Sequence, residues 1–167
     1  MIGQYANSFT LLYQYDENKI TVYKTKKSKF ILKYDECKKL INKLKEKLIE
    51  KNEAGDLFGR EVNNKFKSII GTIYQTFDKK ELYQTIEEKA ANLLYLIIKD
   101  HPFLDGNKRI ALFLFIYFLE KNNYLFKKSS EQKIIDTTLV ALALLIATSN
   151  ANEKNIMINI ITNLLKD

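Results

Sequence analysis

A chain with one proline and five glycines has few ways to reverse direction sharply. Both residues punctuate turns, and folds built from many short strands need such signals about every 8–12 residues. Their scarcity over 167 residues argues against a sandwich or barrel and for long helices joined by short loops. With 46% apolar and 12% aromatic residues, the chain has material for one core, burying about 70% of its unfolded surface. The expected class is all-α, in a single compact domain.

Apolar spacing places the elements. Tyr5, Phe9, Leu12 and Tyr13 share one helical face within residues 2–15, and Cys37, Leu40, Ile41, Leu44 and Leu48 share another between Tyr34 and Lys51. Between them, KITVYKTKKSKF is strand-like but too charged to be buried, which suits an extended edge segment. KNEAGDLFG, residues 51–59, holds two of the five glycines and is the best linker candidate. It divides an N-terminal helical and extended segment packing on the core, residues 1–55, from the main part, 56–167.

Val62, Phe66, Ile70, Ile73 and Phe77 outline the next helix, with fraying expected near Gly71. TFDKKELYQT, with Asp78 as a turn former, reads as a short β-hairpin or a surface loop. Thr85-Ile86-Glu87-Glu88 has the form of a capping box, so a helix is predicted from Ile86 to Lys99, burying Ala90, Leu93, Leu94 and Ile97. Pro102 ends it by disfavouring helical backbone in the residue before it. A further helix is predicted from Asn107 to Asn122. Ile134–Ala147 is apolar almost all round, which predicts a central helix, capped by Ser129. A last amphipathic helix carries Met157, Ile160, Ile161, Leu164 and Leu165, capped by Ser149 or Asn150.

Several functions are excluded early. The formal charge of +7 comes almost wholly from lysine: only Arg60 and Arg109 are arginines. Readers of phosphate and base edges recruit the planar arginine fork, so the composition argues against a nucleic-acid binder. A single cysteine, Cys37, excludes an intramolecular disulfide and, with one histidine, a Cys/His zinc cluster. Cys37 lies on an apolar stripe and reads as a core thiol. MIGQYANSF lacks the charged and apolar regions of a signal peptide, and no apolar run is long enough to span a membrane.

One stretch concentrates scarce residues. HPFLDGNKR, 101–109, holds the only histidine, the only proline and one of the two arginines. It feeds into a helix whose first turn is Asn107-Lys108-Arg109. Helix N-termini carry unpaired N–H groups and the positive end of the macrodipole, so with Gly106 and two cations this is an anion site. Asp105 can hold Mg²⁺ that bridges phosphate oxygens. The imidazole of His101 can accept a proton from an attacking hydroxyl. Phe103 anchors the loop to the core, and Leu104 has no evident task. Base, metal carboxylate and anion hole together describe phosphoryl or nucleotidyl transfer from a nucleoside triphosphate.

HPFLDGNKR resembles the signature of the Fic/Doc superfamily, H-P-F-x-[D/E]-G-N-[G/K]-R, at every fixed position. The surrounding DLFGREVNNKF, GTIYQTFDKKELY and EEKAANLLYLIIKDHPFLDGNKRIALFLF are similar to the C-terminal domain of RhuM-type virulence proteins. The resemblance implies a small helical bundle with a β-hairpin flap, and ATP and Mg²⁺ as co-substrate and metal. It implies that His101 deprotonates a Ser, Thr or Tyr hydroxyl of a target protein, that Asp105 chelates Mg²⁺, and that Gly106, Asn107, Lys108 and Arg109 hold phosphates. Tyr74, Gln75, Thr76, Phe77, Leu82 and Tyr83 would form the flap, to whose edge the target adds a strand. An antitoxin or inhibitory partner belongs to the same expectation. So does a cytoplasmic setting, in the producing cell or, for a delivered virulence factor, in another.

Two positions depart from the AMP-transferring pattern, which has Gly after the Asn and a second Arg three residues beyond the first. Here those positions are Lys108 and Leu112, as in Doc-type toxins, which transfer the γ-phosphate of ATP. Ser149-Asn-Ala-Asn-Glu153 has the spacing of the family's inhibitory S-x-x-x-E motif. However, Leu112 offers its Glu no partner, and a helix cap is the preferred reading.

Overall fold

A computed structural model describes residues 2–167. After a 3₁₀ turn (Ile2–Tyr5), its helices are α1 (Ala6–Asp16), α2 (Tyr34–Glu50), α3 (Lys65–Ile73), α4 (Ile86–Asp100), α5 (Asn107–Lys121), α6 (Asp136–Thr148) and α7 (Lys154–Leu164). Between α3 and α4 stands an antiparallel hairpin of β1 (Thr76–Phe77) and β2 (Lys80–Glu81). The class is all-α with this small hairpin, as the spacing of apolar residues requires.

The bundle is organised around α4, which packs on α3, α5, α6 and α7. Every residue from Ile86 to Ile98 is buried. Each fully buried Leu or Ile there stabilises the fold by about 1.5–3 kcal/mol. Thr85 begins the helix as its sequence requires: its hydroxyl accepts the Glu88 N–H, and Glu88 accepts the Thr85 N–H at 3.2 Å. The polar residues that α4 buries find partners. Glu87 accepts from Thr25 and from the Tyr124 hydroxyl, Glu88 pairs with Lys24 at 3.0 Å, and Lys89 pairs with Glu81 at 2.8 Å.

Several expectations change. α6 is not central: it lies at the periphery with Val140, Leu144 and Leu145 exposed, because the fully surrounded position is taken by α4. Its N-cap is Ile135 rather than Ser129, since residues 126–132 form a bridged loop before it. α3 begins three residues after Val62, runs through Gly71 without fraying and stops before Phe77, which stands in the hairpin. Residues 19–30 form no strand, only an isolated antiparallel bridge from Lys27 to Thr85. Side chains of α7 hold the first part of this stretch: Asn159 and Asn163 donate to the Ile20 and Thr21 carbonyls, and Thr162 accepts the Tyr23 N–H. α2 buries Cys37 and Ile41 on the core, whereas Tyr5 of the 3₁₀ turn and Phe9, Leu12 and Tyr13 of α1 are exposed. Burial pushes the Cys37 thiol up to about 12, as befits a core thiol. Among the described residues no helix is long and apolar enough to cross a membrane.

Candidate active site

α4 stops at His101, which takes the left-handed conformation at φ 47° and leaves its imidazole exposed. The chain then dips inward. Pro102 and Phe103 are buried, and the Phe103 ring packs 5.1 Å from that of Phe66, so Phe103 is the anchor its position suggests. Asn107 closes the loop from the first turn of α5. Its Oδ1 accepts the Phe103 N–H at 2.9 Å, and its Nδ2 donates to the Phe103 carbonyl at 2.7 Å. That side chain is thereby committed to the loop, and what Asn107 offers a ligand is its backbone N–H.

Gly106 caps α5 at φ 87°, a conformation glycine adopts without steric cost. Space demands glycine as well. A Cβ there would stand 2.3–2.9 Å from three carbons of the Phe58 ring. Beyond it, the N–H groups of Asn107, Lys108 and Arg109 donate to no acceptor among the described residues. Orphan donors at the positive end of a helix dipole are chemically able to receive an anion.

The wall behind the motif loop is the stretch read as a linker. Residues 53–62 lie against the motif loop and are tied to it by backbone hydrogen bonds. Gly59 N–H donates to the Asp105 carbonyl at 3.0 Å, Leu104 N–H to Arg60 at 2.9 Å, and Val62 N–H to Pro102 at 2.9 Å. Phe58, 1% exposed, fills the space between loop and core. The glycines of this stretch serve a tight turn: Gly59, at φ 69°, sits where Arg60 N–H closes back on the Leu57 carbonyl. A flexible hinge and a packed turn have the same composition. The signal that separates them is Phe58-Gly59 directly before one of the two arginines.

Three contacts hold Arg109. Its guanidinium stacks 4.8 Å from the centroid of Phe58, Nη1 donates to the Glu53 carbonyl at 2.6 Å, and Nη2 lies 3.7 Å from Asp105 Oδ2. Asp105 is about half exposed, so its carboxylate is open to a ligand. Among the described residues no three His, Cys, Asp or Glu side chains converge on one metal position. A single carboxylate fits Mg²⁺ when substrate phosphates and water complete the shell. Lys108 extends into solvent from the same turn.

All motif residues except Pro102 and Phe103 line one open concavity of about 330 Å³. His101, Asp105, Gly106, Asn107, Lys108 and Arg109 are thus brought together, and Leu104, given no task by the sequence, joins them. The flap residues are not. Tyr74, Gln75, Thr76, Phe77, Leu82 and Tyr83 surround the hairpin at the N-terminal end of α4, whereas the concavity lies at its C-terminal end. The fifteen residues between span about 22 Å. Asp78 and Lys79, both at positive φ, make the hairpin's two-residue turn, and Phe77 is 82% exposed. Buried Lys89 anchors the hairpin through Glu81 and the Tyr83 carbonyl, and Tyr74 accepts the Leu32 N–H at 2.7 Å.

Glu153 is engaged elsewhere. It accepts the Asn150 N–H at 2.6 Å in a capping box for the turn before α7, so Asn150 rather than Ser149 is the cap. Ser149 instead ends α6, its hydroxyl donating to the Ile146 carbonyl at 2.6 Å.

Comparison with curated proteins and with solved structures finds no match. A model of the Fic/DOC family matches residues 33–119, from the residue before α2 to near the end of α5. That span is more than half of the chain and contains the motif loop, the wall packed against it and both helices that carry it, so the chain belongs to the Fic/DOC family.

Proposed function

We propose that this protein transfers the γ-phosphate of ATP to a Ser, Thr or Tyr hydroxyl of a target protein. The observation that carries the reading is the convergence of an exposed His101, a half-exposed Asp105 and the unpaired N–H groups of α5 on one concavity. In this reading the phosphates rest on the first turn of α5 and on Arg109. Bound beside Asp105, Mg²⁺ would neutralise charge on the phosphate oxygens. His101 accepts the proton of the target hydroxyl as its oxygen bonds to phosphorus. The bond from phosphorus to the β,γ-bridging oxygen breaks, ADP leaves, and the imidazolium later returns its proton to solvent. Exposure of the imidazole supports this assignment, since a target side chain must reach it.

Lys108 and Leu112 favour phosphate over AMP. Lys108 stands where the AMP-transferring pattern has glycine, and Leu112 stands where that pattern has its second arginine. Strand addition to the hairpin would hold the target about one helix length from His101, so its extended segment would have to run along the bundle to reach the site.

The deciding experiment is incubation with lysate and ATP labelled separately at the α- and γ-phosphate. We expect γ-label on protein from the wild type and none from His101→Ala, with ATP affinity largely retained. Label from the α-position alone would make this an AMP transferase. Equal loss of binding and transfer in His101→Ala would make the histidine structural.

A further inference from the structure

We infer that Arg60 is a second guanidinium of the nucleotide site, contacting the outer phosphates and setting a preference for a triphosphate. The inference rests on the concavity binding a nucleotide, as proposed above, and assigns a residue that lies 41 positions before the motif. Cations are plentiful in this chain, but arginines number two. Where only surface charge is needed, the chain uses lysine. The fold brings both arginines to the same loop, Arg109 from its carboxyl end and Arg60 from the wall beside it.

Backbone pairing places Arg60 beside the motif loop. Glu61 and Phe103 are antiparallel bridge partners, with Leu104 N–H donating to Arg60 and Val62 N–H to Pro102. Side chains alternate across such a pairing, and directly opposed residues share a face. Phe103 and Glu61 take the inner face, where Glu61 meets Tyr34 and Lys38. Arg60 and Leu104 flank that pair, joined by the bond from the Leu104 N–H to the Arg60 carbonyl at 2.9 Å. Leu104 lines the concavity. Arg60 is thus tied through its backbone to a residue already in that wall.

The two arginines differ in their freedom. Arg109 is held by Phe58, Glu53 and Asp105. The guanidinium of Arg60 makes no ion pair or hydrogen bond among the described residues, and the residue is exposed. Its nearest carboxylate in sequence, Glu61, is committed to Tyr34, Lys38 and the Lys67 N–H. An unpaired planar fork carried beside the loop of an anion site is suited to bidentate capture of phosphate oxygens.

The test measures affinities of purified wild type, Arg60→Gln, Arg60→Lys and Arg109→Gln for ATP, ADP and AMP with Mg²⁺ by calorimetry. Arg60→Gln should weaken ATP about tenfold while leaving AMP within about twofold. Arg60→Lys should recover part of the loss, and the thermal midpoint should not move. If Arg60→Gln binds ATP like the wild type while Arg109→Gln does not, Arg60 lies outside the site and the inference is overturned. Equal weakening of ATP and AMP also overturns it, because the outer phosphates would then not be what Arg60 reads. Wild-type protein that binds none of the three sinks the nucleotide reading itself, and this inference with it.

Discussion

Gly106→Ala tests the packing of the site through one methyl group. The added Cβ would stand 2.3, 2.5 and 2.9 Å from three carbons of Phe58, closer than real Cβ contacts come. The ring cannot step aside easily, because Phe58 is 1% exposed and lies under the Arg109 guanidinium. The backbone adds a second penalty: at φ 87°, alanine costs about 1–2 kcal/mol relative to glycine. Overpacking a tight contact typically costs about 1–3 kcal/mol. Together the loss is about 2–5 kcal/mol, or about 5–15 °C in Tm for a chain of this length. Differential scanning calorimetry would measure it, with Gly71→Ala as control. Gly71 sits inside α3 with no atom near its would-be Cβ, so alanine there should stabilise by about 0.5–1 kcal/mol. Adding Phe58→Leu to Gly106→Ala should relieve the clash and make the two costs less than additive by about 1–2 kcal/mol. A Gly106→Ala protein melting within about 2 °C of wild type, or strict additivity in the double variant, would refute this account of the loop.

Other perturbations read other parts of the structure. Asn107→Ala leaves the buried Phe103 N–H and carbonyl without partners and should cost about 1–3 kcal/mol by urea denaturation, apart from any effect on transfer. Lys89→Met removes the buried ammonium that holds Glu81 and the Tyr83 carbonyl, so limited proteolysis should begin to cut within residues 76–83 while the rest of the bundle stays resistant. Burial alone would raise the Glu61 carboxyl, but hydrogen bonds from Tyr34 and the Lys67 N–H, with the charge of Lys38, outweigh it and lower its pKa. Stability from Glu61 is therefore present above about pH 4.3 and lost as pH falls toward the lower folded value. Its partner behaves in the opposite sense. The hydrogen bond to Glu61, together with burial, holds the Tyr34 phenol at about 12, so its contribution is present below about pH 10 and lost as pH rises toward 12. Denaturant midpoints across pH should show both limbs. Glu61→Gln should flatten the acid limb and Tyr34→Phe the alkaline one; unchanged limbs would mean the pair is not formed.

The nonapeptide was legible because its chemistry is local. A proline that stops one helix, a glycine that caps the next and the donors of a first turn lie within nine residues, so spacing alone brings His101, Asp105 and Arg109 to one loop. The α4 capping box was legible for the same reason: its two hydrogen bonds close over four residues. Hairpin and loop fitted TFDKKELYQT equally until Asp78 and Lys79 were seen at positive φ with Thr76 against Glu81.

What tertiary structure decided concerns pairs far apart in the chain. Apolar residues all round α6 suggested a core position, yet which helix is surrounded depends on the competition among all of them, and α4 won it. Glycine content marked residues 51–59 as a linker, because a turn packed on a distant loop and a free linker have the same composition. Only the fold lays Phe58 beneath Gly106 and Arg60 opposite Leu104. The sequence alone determined the reactive groups and their order along the chain; the wall that shapes their site comes from long-range backbone pairing and burial, which no local spacing records.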